Sequence, residues 1–313
     1  ELVARTSGEA EAMRSTRQSR RLPGFSLSDG VRVAHPGDLA ALGQGDLLIV
    51  AVPSDAIEAT VPGAAAGAAT VIVATKGLTP AGLRPSEVLA AVGIEARRTL
   101  VLSGPNLARE VARGLPASAV VAAGDGELAR AIAARLGSRR FRLYVNADVV
   151  GVEIAGAFKN VIAIAAGAAQ ELGFGDNGTA ALITRGLAEL IRLGVAAGAD
   201  PLTFAGLAGV GDLIATCSSP LSRNHRLGVE LARGRSWAEL AAEREGVFEG
   251  AHTVAAAIAL GERFGVELPI AREVHAALFE GKSAERCIVA LLARESREEA
   301  SVGAIRRPRA SYG

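Results

Sequence analysis

The stretch Asp148–Leu172, DVVGVEIAGAFKNVIAIAAGAAQEL, constrains this chain more than any other. Its apolar residues fall on all sides of a helix rather than along one stripe, and a helix of that kind has to be surrounded by other elements. The same run holds Glu153, Lys159 and Asn160, too polar a set for a membrane span. Two readings of Lys159 follow. Drawn into the interior, it loses part of its preference for the ammonium form and becomes a general acid or base near neutral pH. Alternatively, it lays its methylenes on the core and keeps its charged head in water. The run alone does not separate them.

Upstream the pattern changes. Short apolar runs, Asp46–Val52, Thr70–Thr75, Thr99–Ser103, Ala117–Ala123 and Phe141–Val145, alternate with amphipathic stretches such as Pro85–Val92 and Glu127–Leu136. Continuous apolar strands between helices predict a parallel sheet covered on both faces, a doubly wound α/β domain over residues 1–147. Ligands collect at the carboxyl ends of such strands, which here read Val52-Pro53-Ser54, Thr75-Lys76-Gly77 and Ser103-Gly104-Pro105-Asn106. Any one of these could be an ordinary turn. Three in one sheet, one with a lysine, point to a binding edge.

Downstream of Asn146 the sequence predicts helix after helix: Asp148–Leu172, Asp176–Ala197, Pro201–Cys217, Ser236–Arg244, Thr253–Phe264, Ile270–Glu280 and Ser283–Arg294. This is an all-helical domain over residues 148–295. Residues 296–313 carry arginines and Pro308 without apolar periodicity, and a disordered tail is expected there. In the helical half, Gly206–Gly211 runs into Asp212, where flexible backbone can approach a ligand. Ser222-Arg223-Asn224-His225-Arg226 gathers hydroxyl, guanidinium and amide donors suited to a phosphate at a helix start, although a capped, solvated helix start has the same composition.

Composition narrows the classes. A length of 313 residues and a 50% hydrophobic content allow two domains, and a net charge of +1 gives no sign of a nucleic-acid or membrane-surface partner. Cys217 and Cys287 are too few and too far apart for a disulfide framework, so a reducing compartment, the cytoplasm, fits best. His35, His225, His252 and His275 lack metal-ligand spacing, and no metal site is readable. The polar N-terminus does not read as a signal peptide.

Taken together these segments resemble one family, the bacterial-type NAD(P)-dependent sn-glycerol-3-phosphate dehydrogenases. The resemblance runs in order through Val52-Pro53-Ser54, Ala74–Leu78, Leu102–Pro105, Ala112–Pro116, Lys159–Ile164, Ala181–Glu189, Gly211-Asp212-Leu213, Ser222-Arg223-Asn224, Glu249-Gly250 and Leu268-Pro269-Ile270. It implies a Rossmann-like domain followed by an all-helical one. It also implies an oxidoreductase interconverting sn-glycerol 3-phosphate and dihydroxyacetone phosphate with NADP or NAD and supplying glycerol 3-phosphate for phospholipid synthesis. Position by position, it makes Lys159 the proton acceptor and donor and places Lys76, Gly104, Asn106, Asp212, Ser222, Arg223 and Asn224 at the substrate. It places Lys76, Ala108, Arg223, Val247 and Glu249 at the cofactor. Asn106 departs from the hydroxyl residue usual at its position, although an amide can still donate. The partner implied is a small phosphate substrate; a homodimer is compatible with the sequence, which does not fix the oligomeric state.

One part of the family pattern is missing from these residues. No Gly-x-Gly-x-x-Gly turn follows a strand; Gly43-Gln44-Gly45 precedes one, and Gly206–Gly211 lies among helices. The chain begins at Glu1 with a strand-like ELVAR. If that is the family's second strand, roughly 30 residues of strand, phosphate loop and helix are expected upstream, by the usual length of a βαβ opening. The Rossmann-like domain is then incomplete at its N-terminus, and the 313 residues alone are expected to bind nicotinamide weakly. Arg5, with Thr6 and Ser7 at the end of that strand, suits a ribose 2′-phosphate better than a 2′-hydroxyl, favouring NADP. Two alternatives stay open: an inactive product without cofactor binding, and a related ketopantoate or hydroxyacid dehydrogenase, which would not need the Ser222 cluster together with Asp212.

Overall fold

Runs of Val, Ile and Leu build the sheet, and their two-residue alternation sorts them onto its two faces. In the computed structural model, which describes residues 1–38, 42–43, 45–65, 70–243 and 248–293, five strands pair in chain order: β5 (Leu47–Val50), β6 (Thr70–Val73), β7 (Thr99–Ser103), β8 (Ala117–Ala122) and β9 (Phe141–Asn146). Val71, Val73, Val101, Val120 and Ala122 face one way, against residues of α2 (Ile57–Ala65) and α3 (Pro85–Ala91). Ile72, Leu100 and Val121 face the other, against Ala129 and Ile132 of α5 (Gly126–Leu136). Both faces are covered, which is why the strands read as continuous apolar runs.

The expectation of a parallel sheet holds for β5–β6–β7 and for β8–β9. The pair β7–β8 is antiparallel. Between them Gly104, at φ +139°, turns the chain, and α4 (Ala108–Ala112) has only five residues. So short a helix cannot carry the chain back along the strand, and β8 starts at the end where β7 stops. The N-terminal residues form β1 (Leu2–Val3), α1 (Ser7–Thr16), a small hairpin of β2 (Gln18–Ser19) and β3 (Leu22–Ser26), and β4 (Val33–Ala34), parallel to β1. Among the described residues no strand pairing joins β1 to β5.

From α6 (Val149–Glu171) onward the chain is helical: α7 (Gly175–Ala196), α8 (Pro201–Ala205), α9 (Asp212–Ser218), α10 (Arg223–Ala232), α11 (Trp237–Ala242), α12 (Glu249–Phe264), α13 (Pro269–Phe279) and α14 (Ala284–Leu292). By length and composition α6 could cross a membrane, but 89% of its apolar window is buried inside the protein. It is the axis of the main core, with Ile154, Phe158, Val161, Ile162 and Ile164 packed against the surrounding helices. The expected helix Pro201–Cys217 is instead α8, a π-helical turn Leu207–Gly211, and α9. Gly206, Gly209 and Gly211 permit the interruption; a Cβ on Gly209 would lie 2.1 Å from the Phe204 carbonyl oxygen. Arg244, the end expected for the Ser236 helix, and the expected tail 296–313 lie outside the described residues.

α10 packs on α6 backbone to backbone. A Cβ on Gly228 would stand 1.9 Å from the Ile164 carbonyl oxygen, and one on Gly167 would stand 2.1 Å from that of His225. Gly228→Ala is therefore expected to lower unfolding stability by about 1–3 kcal/mol, the usual range for overpacking a core. Gly8→Ala, where nothing lies within 4 Å, serves as the neutral control. Equal urea midpoints for the two variants would contradict the close approach.

Candidate active site

Where the start of α9 meets the middle of α6, three charged side chains converge. Asp212 is buried, and its two carboxylate oxygens serve different lysines. Lys159 Nζ donates to Oδ1, and Lys76 Nζ donates to Oδ2 at 2.8 Å. Lys76, on the loop after β6, also donates to the Gly104 carbonyl at 2.7 Å, which ties it to the end of β7. Lys159 makes a further bond to Thr216 Oγ1 at 2.9 Å, and the Thr216 hydroxyl donates to the Asp212 carbonyl at 2.6 Å. With 6% exposure, Lys159 is drawn inside rather than snorkelling.

Burial pushes the Lys159 amine down to about 8, and the neighbouring Lys76 cation pushes the same way. Asp212 opposes both by attraction and hydrogen bonding, and the Glu249 carboxylate adds to its pull. The result is an amine that changes charge close to neutral pH inside a net-positive cluster. Such a cluster can hold an anionic substrate and pass a proton to or from an oxygen in it.

Around this cluster lies a polar shell. Asn160 donates to the Lys76 carbonyl at 3.2 Å, to the Gly156 carbonyl at 3.3 Å and to Glu249 at 3.5 Å. Burial raises the Glu249 carboxyl above the usual carboxylate range, while Arg223, Lys159 and Lys76 draw it down. Asn224 Oδ1 accepts from the Gly250 amide at 3.1 Å, joining the start of α10 to the start of α12. Ser222 caps α10 by accepting from the His225 amide at 3.3 Å, so the cap reading is correct, yet the residue is also buried. Arg223 between them is exposed.

Lys76, Gly104, Lys159 and Asp212 are thus bonded together, with Glu249, Asn224, Ser222 and Arg223 alongside. The Asn106 amide donates to the Ser118 carbonyl at 3.2 Å. Ala108 is exposed at the start of α4, Arg5 is exposed just beyond β1, and no bond of the cluster reaches either. Val247 lies outside the described residues. Two participants went unassigned in the sequence. Thr216 could have been found from its i+4 spacing to Asp212 on one helix face. Asn160 was conspicuous, but its partner, a main-chain carbonyl on a distant loop, leaves no sequence signal.

A mixed, mainly parallel sheet abutting a helical bundle, with a buried lysine at their junction, suits the architecture of a dinucleotide-dependent dehydrogenase. The chain belongs to the NAD-dependent glycerol-3-phosphate dehydrogenase family: residues 1–129 match its N-terminal part and residues 148–289 its C-terminal part. The NAD(P)+ glycerol-3-phosphate dehydrogenase of Frankia casuarinae is 45% identical, covering 94% of this chain and 89% of its own. That of Streptomyces coelicolor is 44% identical, covering 95% and 90%. The crystal structure of glycerol-3-phosphate dehydrogenase from Coxiella burnetii superposes with a TM-score of 0.88 at 31% identity over 94% of this chain and 91% of its own. D-mandelate dehydrogenase, at 11% identity and a TM-score of 0.57, shares the fold alone, and the family match sets the hydroxyacid alternative aside.

Replacing Asp212 with Asn leaves two ammonium groups together without their shared carboxylate. Stability at about pH 7 should drop by roughly 3–5 kcal/mol, as for breaking a buried ion pair from one side. The sign with pH is fixed. Lys159, already held down at about 8 by burial and the Lys76 cation, loses the attraction and hydrogen bond of Asp212 and titrates lower still, so the folded variant binds fewer protons than the folded parent. The loss is full below that lowered value and shrinks as pH rises towards about 8, where Lys159 of the parent itself loses its charge. Urea midpoints that fail to recover between about pH 7 and 10 would count against the shared-carboxylate arrangement.

Proposed function

We propose that Lys159 is the acid and base of this family's reaction, that Lys76 and Asp212 hold its charge in balance, and that Arg223 with Ser222 and Asn224 grips the substrate phosphate. The reaction is the interconversion of sn-glycerol 3-phosphate and dihydroxyacetone phosphate with NAD(H) or NADP(H). The observation that carries the assignment is the buried Lys159–Asp212–Lys76 cluster. When bound, the nicotinamide accepts or supplies the hydride at carbon 2. In the oxidising direction neutral Lys159 takes the hydroxyl proton; in the reducing direction its ammonium returns that proton to the ketone oxygen. Asp212 fixes the amine by hydrogen bond, and Thr216 orients it from a second side. Arg223, held at the start of α10, supplies a charge-assisted grip that positions carbon 2 from a distance.

The carboxyl ends of β5–β7 fit the nicotinamide end of a dinucleotide. The Ser103 hydroxyl there is buried without a hydrogen-bond partner, and Gly77 packs close to Ser54, where a Cβ would come within 3.3 Å of its Oγ. Lys76, Arg223, Glu249, Ala108 and Val247 are the cofactor contacts we propose, with Gly104 and Asn106 added on the substrate side. Arg5, exposed beyond β1, would meet a ribose 2′-phosphate, which favours NADP. On this reading residues 1–147 hold the dinucleotide and residues 148–295 the substrate. The product is glycerol 3-phosphate for phospholipid synthesis, and the compartment is the cytoplasm, in keeping with two free, buried cysteines. A homodimer is the assembly proposed; Val289 and Leu292, exposed three residues apart on α14, offer it apolar surface.

Only the neutral amine accepts a proton, so kcat/KM for glycerol 3-phosphate oxidation should rise with pH through an inflection near about 8, the value of Lys159. For dihydroxyacetone phosphate reduction it should fall through the same value. Lys159→Met should remove the inflection and lower turnover by about 100-fold or more. Retained turnover in that variant would exclude the role. Arg223→Ala should weaken substrate binding by about 1.5–3 kcal/mol and erode discrimination against unphosphorylated dihydroxyacetone. Calorimetric titration giving unchanged affinity would move the phosphate elsewhere.

A further inference from the structure

Glu153 is a buried carboxylate that the chemistry above does not use. It lies on α6, its side chain is 1% exposed, and it is saturated by donors from one place. Arg84 Nη1 donates at 2.9 Å, the Ser86 amide at 2.8 Å and the Ser86 hydroxyl at 2.6 Å. Arg84 and Ser86 stand at the start of α3, where the loop bearing Lys76 ends. The near end of the same loop is held by Asn160, through the Lys76 carbonyl. Glu153 and Asn160 are seven residues apart, about two turns along one side of α6. Between the two ties the loop is bonded to itself, Thr79 to Leu83 and Gly82 to Thr79, and the Ser54 hydroxyl holds the Leu78 carbonyl at 2.8 Å.

A buried ion pair rarely adds net stability over apolar groups of the same size, so stability alone does not account for a carboxylate and a guanidinium here. What they do provide is one unique docking of the loop. We infer that Glu153, with Arg84 and Ser86, is a positioning clamp that presses the Lys76 loop onto α6 and thereby sets how closely the Lys76 ammonium approaches Lys159. The inference rests on the reading of Lys159 as the acid and base. Lys159 is faced by Lys76 from the loop, by Asp212 and Cys217 from α9, and by Glu249 from α12, with Arg223 of α10 beyond Glu249. Of these, the clamp governs Lys76. Releasing it moves a cation away from Lys159 and leaves Asp212 more fully to Lys159, and both changes raise the amine's pKa.

The test compares the parent protein, the double variant Arg84→Met/Glu153→Leu, which fills the volume with apolar groups, and the milder Ser86→Ala. Read in the pH profile of glycerol 3-phosphate oxidation, the inflection near about 8 should move up by half a unit or more in the double variant and by less in Ser86→Ala, with KM rising several-fold. Should the double variant fail to fold, the Ser86→Ala shift decides. A lowered Tm with an unmoved inflection and unmoved KM would make the trio a structural anchor only and overturn the clamp. Lys159→Met separates the two ideas. If the parent inflection survives in Lys159→Met, the assignment of Lys159 has failed. If it vanishes there yet does not move in the clamp variants, the clamp alone has failed.

Discussion

A single carboxylate that serves two ammonium groups is the interaction on which the rest of this molecule turns. Two lysines could not share a water-poor space without it, and Asp212 alone would be costly to bury. Each side chain comes from a different part of the chain: Lys76 from a loop of the sheet, Lys159 from the core helix, Asp212 from the turn that starts α9. The pairing therefore joins the α/β half to the helical half through charge. The π-helical turn before Asp212 belongs to the same constraint. An extra residue in the turn alters which way the next helix faces, and such bulges recur where a side chain must be aimed.

The core helix is doing two jobs that ordinarily conflict. Ile154, Phe158, Val161 and Ile164 make it the axis of the main apolar cluster, while Glu153 and Asn160 on one side and Lys159 more than a quarter turn round carry buried polar groups. The conflict is resolved by satisfying each polar group from outside the helix. Glu153 is met by Arg84 and Ser86, Lys159 by Asp212 and Thr216, and Asn160 by the Lys76 carbonyl. Polar groups in a dry core then become fasteners rather than faults.

Much of this could be read from the sequence, for reasons that differ by element. The strands and long helices were legible because burial on both faces writes continuous apolar runs, and the Lys159–Asn160 pair stood out because it interrupts one. The antiparallel β8 was not, because strand direction depends on the length and turn of the connection rather than on the strand's own residues. The single helix expected over Pro201–Cys217 failed at glycines whose effect depends on Phe204 lying behind them. Asp212 was suspected, but its two-lysine partnership was not fixed by spacing alone, since Lys76 and Asp212 are 136 residues apart. The hydrogen bond from the Asn106 amide to the Ser118 carbonyl of β8 is likewise a contact that no spacing announces.

The glycine contact between α6 and α10 has a consequence for how this site could change. With Gly167 and Gly228 letting the two backbones touch, the spacing of the helix positions that carry Lys159 and Arg223 is set by main chain. If Lys159 and Arg223 hold the two ends of the substrate, as proposed, an anionic end standing farther from the reacting carbon would strain this spacing of the helices. The two helices would have to slide, against a seam that leaves no methyl-sized slack. Drift in the surface of this protein is thus uncoupled from drift in the length of molecule it accepts, and a shift in that length would require the core to be rebuilt in one concerted step.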